Sequence, residues 1–163
     1  MRHAKAEQVG PTDFERALSR RGRADAEAAG AWLAGLGVSP DQALVSAALR
    51  TRQTWSSVAD GASWTLSPTV DEGLYSAGPE TALDLLRGLD TSVGSVVVVG
   101  HNPTMAYVAS LLDDGTGDAE AGNQLATGFP TGALAVFAYD GLWADLEAAS
   151  ARLTAFHVAR GCA

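Results

Sequence analysis

Four consecutive valines, Val96–Val99, set between Gly94 and Gly100, constrain the fold of this chain more than any other feature. A run of β-branched residues without polar alternation suits a strand covered on both faces, as in a parallel sheet between helical layers. Gly100 ends the run. Pro103 then opens a helix to about Leu112, with Asn102 as its expected cap. Upstream, residues 19–36 read as a helix with Ser19 as N-cap, Gly37 as stop, and an apolar stripe through Ala24, Ala28, Trp32 and Leu36. Residues 43–46 suit a short buried strand, 47–60 a second helix, and 64–66 another short strand. Residues 79–89 suit a helix with Pro79 in its first turn and Leu83, Leu86 and Leu89 facing inward. The Gly-, Asp- and Thr-rich stretch 113–128 reads as a surface loop. Residues 133–139 and 153–158 read as late strands around an Asp140-Gly141 turn. Strands alternating with helices predict an α/β sheet sandwiched by helices.

The 163 residues allow one domain, expected to span 1–163. Hydrophobic residues make up 47% and charged residues 18%, enough to build a core. The net charge of −8 argues against general binding to nucleic acid or to an anionic membrane surface. Any phosphate chemistry must therefore rest on a few placed cations. A single cysteine, Cys162, excludes a disulfide framework and a Cys-based zinc site, and suits a reducing cytoplasm. No apolar run approaches the roughly 20 residues of a membrane span, and Met1-Arg2-His3-Ala4-Lys5 does not resemble a signal peptide.

Three histidines occupy different settings. His157 lies inside the last strand and reads as a packed histidine. His101 lies just beyond the carboxyl end of the valine strand, where open α/β sheets bind ligands and a following helix N-terminus favours an anion. A histidine that only caps the turn is the alternative. Ser46-x-x-x-Arg50-x-x-x-Thr54 likewise begins where a strand gives way to a helix, and Arg50 can reach back over the same sheet edge. Arg52 cannot share its helical face. The clustered spacing of a metal site is absent from the carboxylates.

Arg2-His3-Ala4, Ser46-x-x-x-Arg50-x-x-x-Thr54 and Gly100-His101-Asn102-Pro103, in that order, resemble the histidine phosphatase superfamily, and within it the small SixA-type phosphohistidine phosphatases. Arg16-Ala17-Leu18-Ser19-x-x-Gly22, Leu74-Tyr75-x-Ala77 and Pro130-Thr131-Gly132-Ala133-Leu134 match as well, so the resemblance runs along nearly the whole chain. It implies a three-layer α/β/α fold of the phosphoglycerate mutase-like type. It further implies that His3 is a nucleophile forming a phosphohistidine intermediate, with Arg2, Arg50 and His101 on the phosphoryl oxygens and Asn102 beside the substrate. No metal or other cofactor is implied. The expected partner is a phosphorylated protein or a small phosphorylated substrate. Glu72 lies in the segment where larger members keep a proton-donating acid, and an exposed loop carboxylate is the alternative reading.

One departure stands out. Members of this family carry a hydrophobic strand before the Arg-His pair, whereas only Met1 precedes Arg2 here. The first strand is therefore expected to be missing or truncated, with two unpaired strand edges, an exposed strip of core and a loosely held His3. Either the true start lies upstream or the chain folds with a gap. Three activities follow: a metal-independent phosphatase for phosphohistidine or a similarly activated phosphoryl compound, an inactive relative that only binds a phosphorylated partner, or a small-molecule phosphomonoesterase using Glu72 as acid.

Overall fold

A computed structural model describes residues 1–162. Strand β1 (Gln42–Ser46) pairs in parallel with β2 (Thr69–Asp71) on one side and with β3 (Val96–Val99) on the other. Strands β4 (Ala133–Ala138) and β5 (Arg152–Val158) form an antiparallel pair. Helices α1 (Arg20–Gly35), α2 (Leu49–Ala62), α3 (Pro79–Arg87), α4 (Thr104–Leu112) and α5 (Ala119–Thr127) cover the two faces.

The layering follows from the period-two geometry of the strands. Ala43 and Val45 of β1 face a core shared with α1 and α2, including Ala26, Ala29, Leu33, Trp55 and Val58. Leu44, between them, faces the opposite core with Leu83, Leu86, Met105 and Val108. The expected three-layer α/β/α fold is present.

Helix α1 begins where expected, Ser19 accepting a hydrogen bond from the Gly22 N–H, and Gly37 adopts φ +77 just beyond its end. Its buried face differs from the expected stripe. Gly22, Ala26, Ala29, Gly30 and Leu33 are buried, whereas Leu36 is 51% exposed. The reason is the close crossing of α1 and α2: a Cβ on Gly30 would strike the Val58 carbonyl, and one on Gly61 would strike the Glu27 carbonyl. Small residues therefore take the centre and Trp32 is left at the flank. There it stacks on His157 at 4.5 Å, so His157 is packed as expected.

Three further expectations are corrected. The strand placed at 64–66 lies at 69–71, because Trp64 stacks on Trp55 and Leu66 packs into the same core, both outside the ladder. The stretch 113–128 contains α5, capped by the Asp118 carboxylate on the Ala121 N–H and anchored by Ala121 and Leu125. Helix α4 starts after Pro103, and Asn102 makes no cap bond, its amide turning instead to the Phe129 carbonyl.

Residues 1–3 lie between β3 and β4. Arg2 bridges Gly100 in parallel fashion, the Gly100 N–H donates to the Met1 carbonyl, and the Arg2 N–H donates to the Ala133 carbonyl. A cavity of about 520 Å³ runs between Val96–Val98 and Ala135–Phe137, and these valines are only half-buried. The loosely held His3 of the sequence expectation is not found. Its N–H donates to the Gly100 carbonyl, its carbonyl accepts from the Gly132 N–H, and the residue is buried. Ala4, next in sequence, donates to Thr54 Oγ1. Two flanking segments and α2 hold the histidine.

The Met1 amino group donates to the Val98 carbonyl at 2.8 Å, and burial lowers its pKa to about 5. No helix among the described residues is long and apolar enough to cross a membrane.

Candidate active site

Each candidate side chain comes from the carboxyl end of a central strand or from the helix that follows. Met1–His3 and β3 deliver His3 and His101 side by side, their ring centroids 5.3 Å apart. Strand β1 ends at the fully buried Ser46, and Arg50 sits in the first turn of α2 with 6% exposure. Arg52, two residues on, is exposed, as the helical geometry requires.

The His3 Nδ1–H donates to the Ala4 carbonyl at 2.8 Å. A carbonyl can only accept, so the proton resides on Nδ1 and the lone pair on Nε2. Burial is the main cause lowering the His3 pKa to about 4. The Ala4 bond opposes this, and Arg50, Arg2 and Arg16 add to it. His101 is lowered to about 4 for the same first reason, with Arg50 next and His3 after it. Both rings are therefore neutral at pH 7. His101 Nε2 lies 2.8 Å from Ser46 Oγ, while its Nδ1 is buried without a partner.

Arg2 is anchored by one nitrogen, which donates to the Phe129 carbonyl at 3.0 Å; Asn102 Nδ2 donates to the same carbonyl at 2.8 Å. Arg2 Nε and Asn102 Oδ1 have no partner. An open recess beside them is lined by Gln124, Phe129, Pro130 and Phe156. Two guanidiniums, Arg50 and Arg2, thus lie near enough to two neutral imidazoles to help lower their pKa values, in a chain whose net charge is −8.

Sequence reasoning missed Asp13. Its carboxylate accepts from Arg50 at 3.0 Å, Arg16 at 2.8 Å and the Tyr75 hydroxyl at 2.7 Å, while its carbonyl accepts a second Arg50 bond at 2.6 Å. The Tyr75 hydroxyl is the largest influence holding the Asp13 carboxyl well below its usual range, followed by Arg16. Tyr75 also makes a T-shaped contact with the His101 ring, centroids 5.5 Å apart. The signal available in the sequence was the spacing Asp13-x-x-Arg16, too common to be read alone. Glu72 is exposed; its side chain makes no hydrogen bond or ion pair among the described residues and shifts neither histidine. Lys5 is exposed as well.

The model of the histidine phosphatase superfamily (branch 1) matches residues 1–77. An uncharacterised protein of Mycobacterium tuberculosis is 37% identical over 162 residues, covering 98% of this chain and 100% of its own length. A counterpart in Mycobacterium leprae is 34% identical over 165 residues, with 98% and 100% coverage. The chain belongs to the histidine phosphatase superfamily. Among solved structures it is similar to a candidate SixA phosphohistidine phosphatase from Nakamurella multipartita, at TM-score 0.85 and 31% identity, covering 98% of this chain and 93% of that one. It is also similar to the protein histidine phosphatase SixA complexed with tungstate, at TM-score 0.77 and 25% identity, covering 97% and 94%. Within the superfamily, its type is that of SixA.

Proposed function

We propose that this chain is a metal-independent phosphatase that removes the phosphoryl group from phosphohistidine on a protein, or from a similarly activated small phosphoryl compound. The observation that carries this reading is the His3 ring, with Nδ1–H tied to the Ala4 carbonyl and a free Nε2 lone pair beside Arg2, Arg50 and His101. Nε2 attacks phosphorus, the P–N bond to the substrate imidazole breaks, and that imidazole leaves with the electron pair and takes up a proton. Water then attacks the phosphorylated His3, releasing inorganic phosphate and restoring the ring. Arg2, Arg50 and His101 donate to the non-bridging oxygens, where charge spreads in the transition state. Asn102 keeps one amide N–H for the substrate, and the recess along Phe129 and Phe156 receives the leaving group.

Two features bear on the alternatives. The bonds around His3 remove the reason to treat it as a loosely held, idle nucleophile. The exposed and unpartnered Glu72 speaks against a phosphomonoesterase that depends on it. A phosphoimidazole is an activated donor and needs less help from an acid than an alkyl phosphate does. Glu72→Gln is therefore expected to leave kcat/KM on a phosphohistidine peptide within about twofold of the parent, a surface change of the ordinary kind. A tenfold loss would restore Glu72 as the acid.

Asp13 places a carboxylate on Arg50, where the phosphoryl oxygens would bind. Its side chain is 52% exposed and can swing aside. Asp13→Asn should tighten competitive inhibition by tungstate about three- to tenfold, since a neutral amide competes less for the guanidinium. Weaker inhibition would mean that Asp13 helps to orient Arg50.

The decisive experiment compares metal-free hydrolysis of a phosphohistidine peptide and of p-nitrophenyl phosphate by the parent protein and His3→Ala. Turnover of the peptide that vanishes in the variant supports the reading. A preference for the ester, or activity indifferent to His3, overturns it.

A further inference from the structure

Ser46 is the last residue of β1, is fully buried, and has one hydrogen-bond neighbour for its hydroxyl, His101 Nε2 at 2.8 Å. Its carbonyl is occupied separately by the Thr51 hydroxyl. A hydroxyl can donate or accept, so the pair admits two arrangements. If Nε2 carried the His101 proton, it would donate to Oγ, the buried Ser46 proton would lack an acceptor, and the bare Nδ1 would turn a lone pair toward its surroundings. If Ser46 donates to Nε2, the ring proton moves to Nδ1, and one unpaired donor is left.

The second arrangement leaves fewer buried groups unsatisfied. It also makes sense of an otherwise unexplained atom: His101 Nδ1 is buried and unpartnered in a site built for an anion. A donor there awaits an oxyanion, whereas a lone pair there would repel one. The tautomer matters because the ring is neutral at pH 7 and has one N–H to give.

We propose that Ser46 is a positioning residue that donates its hydroxyl proton to His101 Nε2, fixing the ring as the Nδ1–H tautomer whose free N–H is aimed at a phosphoryl oxygen. The inference rests on the role given to His101 above, but its primary readout does not require turnover. Ser46 touches no substrate and acts through the histidine.

The test is nitrogen-15 NMR of the uniformly labelled full chain at pH 7, with the His101 signals assigned by their loss in His101→Gln. The expected result is a protonated Nδ1 and an unprotonated Nε2. In Ser46→Ala the tautomer should become mixed or reversed, and tungstate inhibition or binding should weaken about 10- to 100-fold, the range for losing a well-aligned hydrogen bond to a charged group. Ser46→Cys, a weak donor of similar size, should fall between the two. A parent spectrum with the proton on Nε2 would overturn the proposal without any variant. So would a Ser46→Ala protein that keeps both tautomer and tungstate affinity. If the tautomer is as expected but no phosphorylated substrate is turned over, the phosphatase reading fails and the Ser46 assignment stands.

Discussion

His3→Ala should lower turnover of a phosphohistidine peptide by at least about 10³-fold, the usual scale for deleting a covalent nucleophile. The parent, mixed with a phosphoryl donor labelled with phosphorus-32 and quenched in alkali, should retain label that is lost on mild acid treatment. The variant should retain none. A fall in turnover alone could come from a collapsed site, so the labelled intermediate carries the weight. The pH profile adds an independent check. Burial lowers His3 to about 4, so its lone pair is available far below the ordinary histidine range. The acid limb of kcat/KM, which reports the free enzyme, should lie near pH 4 instead of near 6.5. A stable label in His3→Ala, or an acid limb at 6.5, would count against the covalent route.

The second large effect concerns stability in acid. The Met1 amine has a pKa of about 5 when folded and 8.0 in the ordinary state. Below pH 8 the unfolded chain binds a proton that the folded chain refuses. Stability from this group is therefore complete above pH 8 and is lost progressively as pH falls to 5. Three pKa units correspond to about 4 kcal/mol, a large share of the roughly 5–15 kcal/mol that holds a domain together. His3 and His101, both lowered from 6.5 to about 4, continue the loss between those values. Urea unfolding at pH 8.5, 7 and 5 should show this decline. Nα-acetylation should remove the Met1 share, because an amide N–H makes the same bond to Val98 without a charge. Identical pH profiles for the free and acetylated chains would show that the amine is not the source.

Central strands are stabilised by neighbours on both sides, and β3 has a full partner only in β1. Val96–Val98, expected from their apolar run to be covered on both faces, are half-buried where they line the cavity beside Ala135–Phe137. The hydrogen bonds of residues 1–4 hold His3, the single residue that matters most to the proposed chemistry.

The valine run, the Pro79 and Pro103 helix starts, the Ser19 cap and the motifs around Arg2, His3, Arg50 and His101 could be read from the sequence because each depends on local geometry or on short, ordered spacing. Position in a helix was enough to separate Arg50 from Arg52. What could not be read depended on contacts between distant segments. The buried face of α1 was decided by the approach of α2 through Gly30 and Gly61, and the true place of β2 by the packing of Trp64 on Trp55. Helix α5 is short and Gly-containing, and it is held by burial of Ala121 and Leu125 more than by a strong periodicity. The contact of the Asp13 carboxylate with Arg50 and that of Ser46 with His101 exist only because the chain returns to one sheet edge. Hydrogen bonds over 37 and 55 residues leave no local trace in the sequence, since their donors and acceptors meet only after folding.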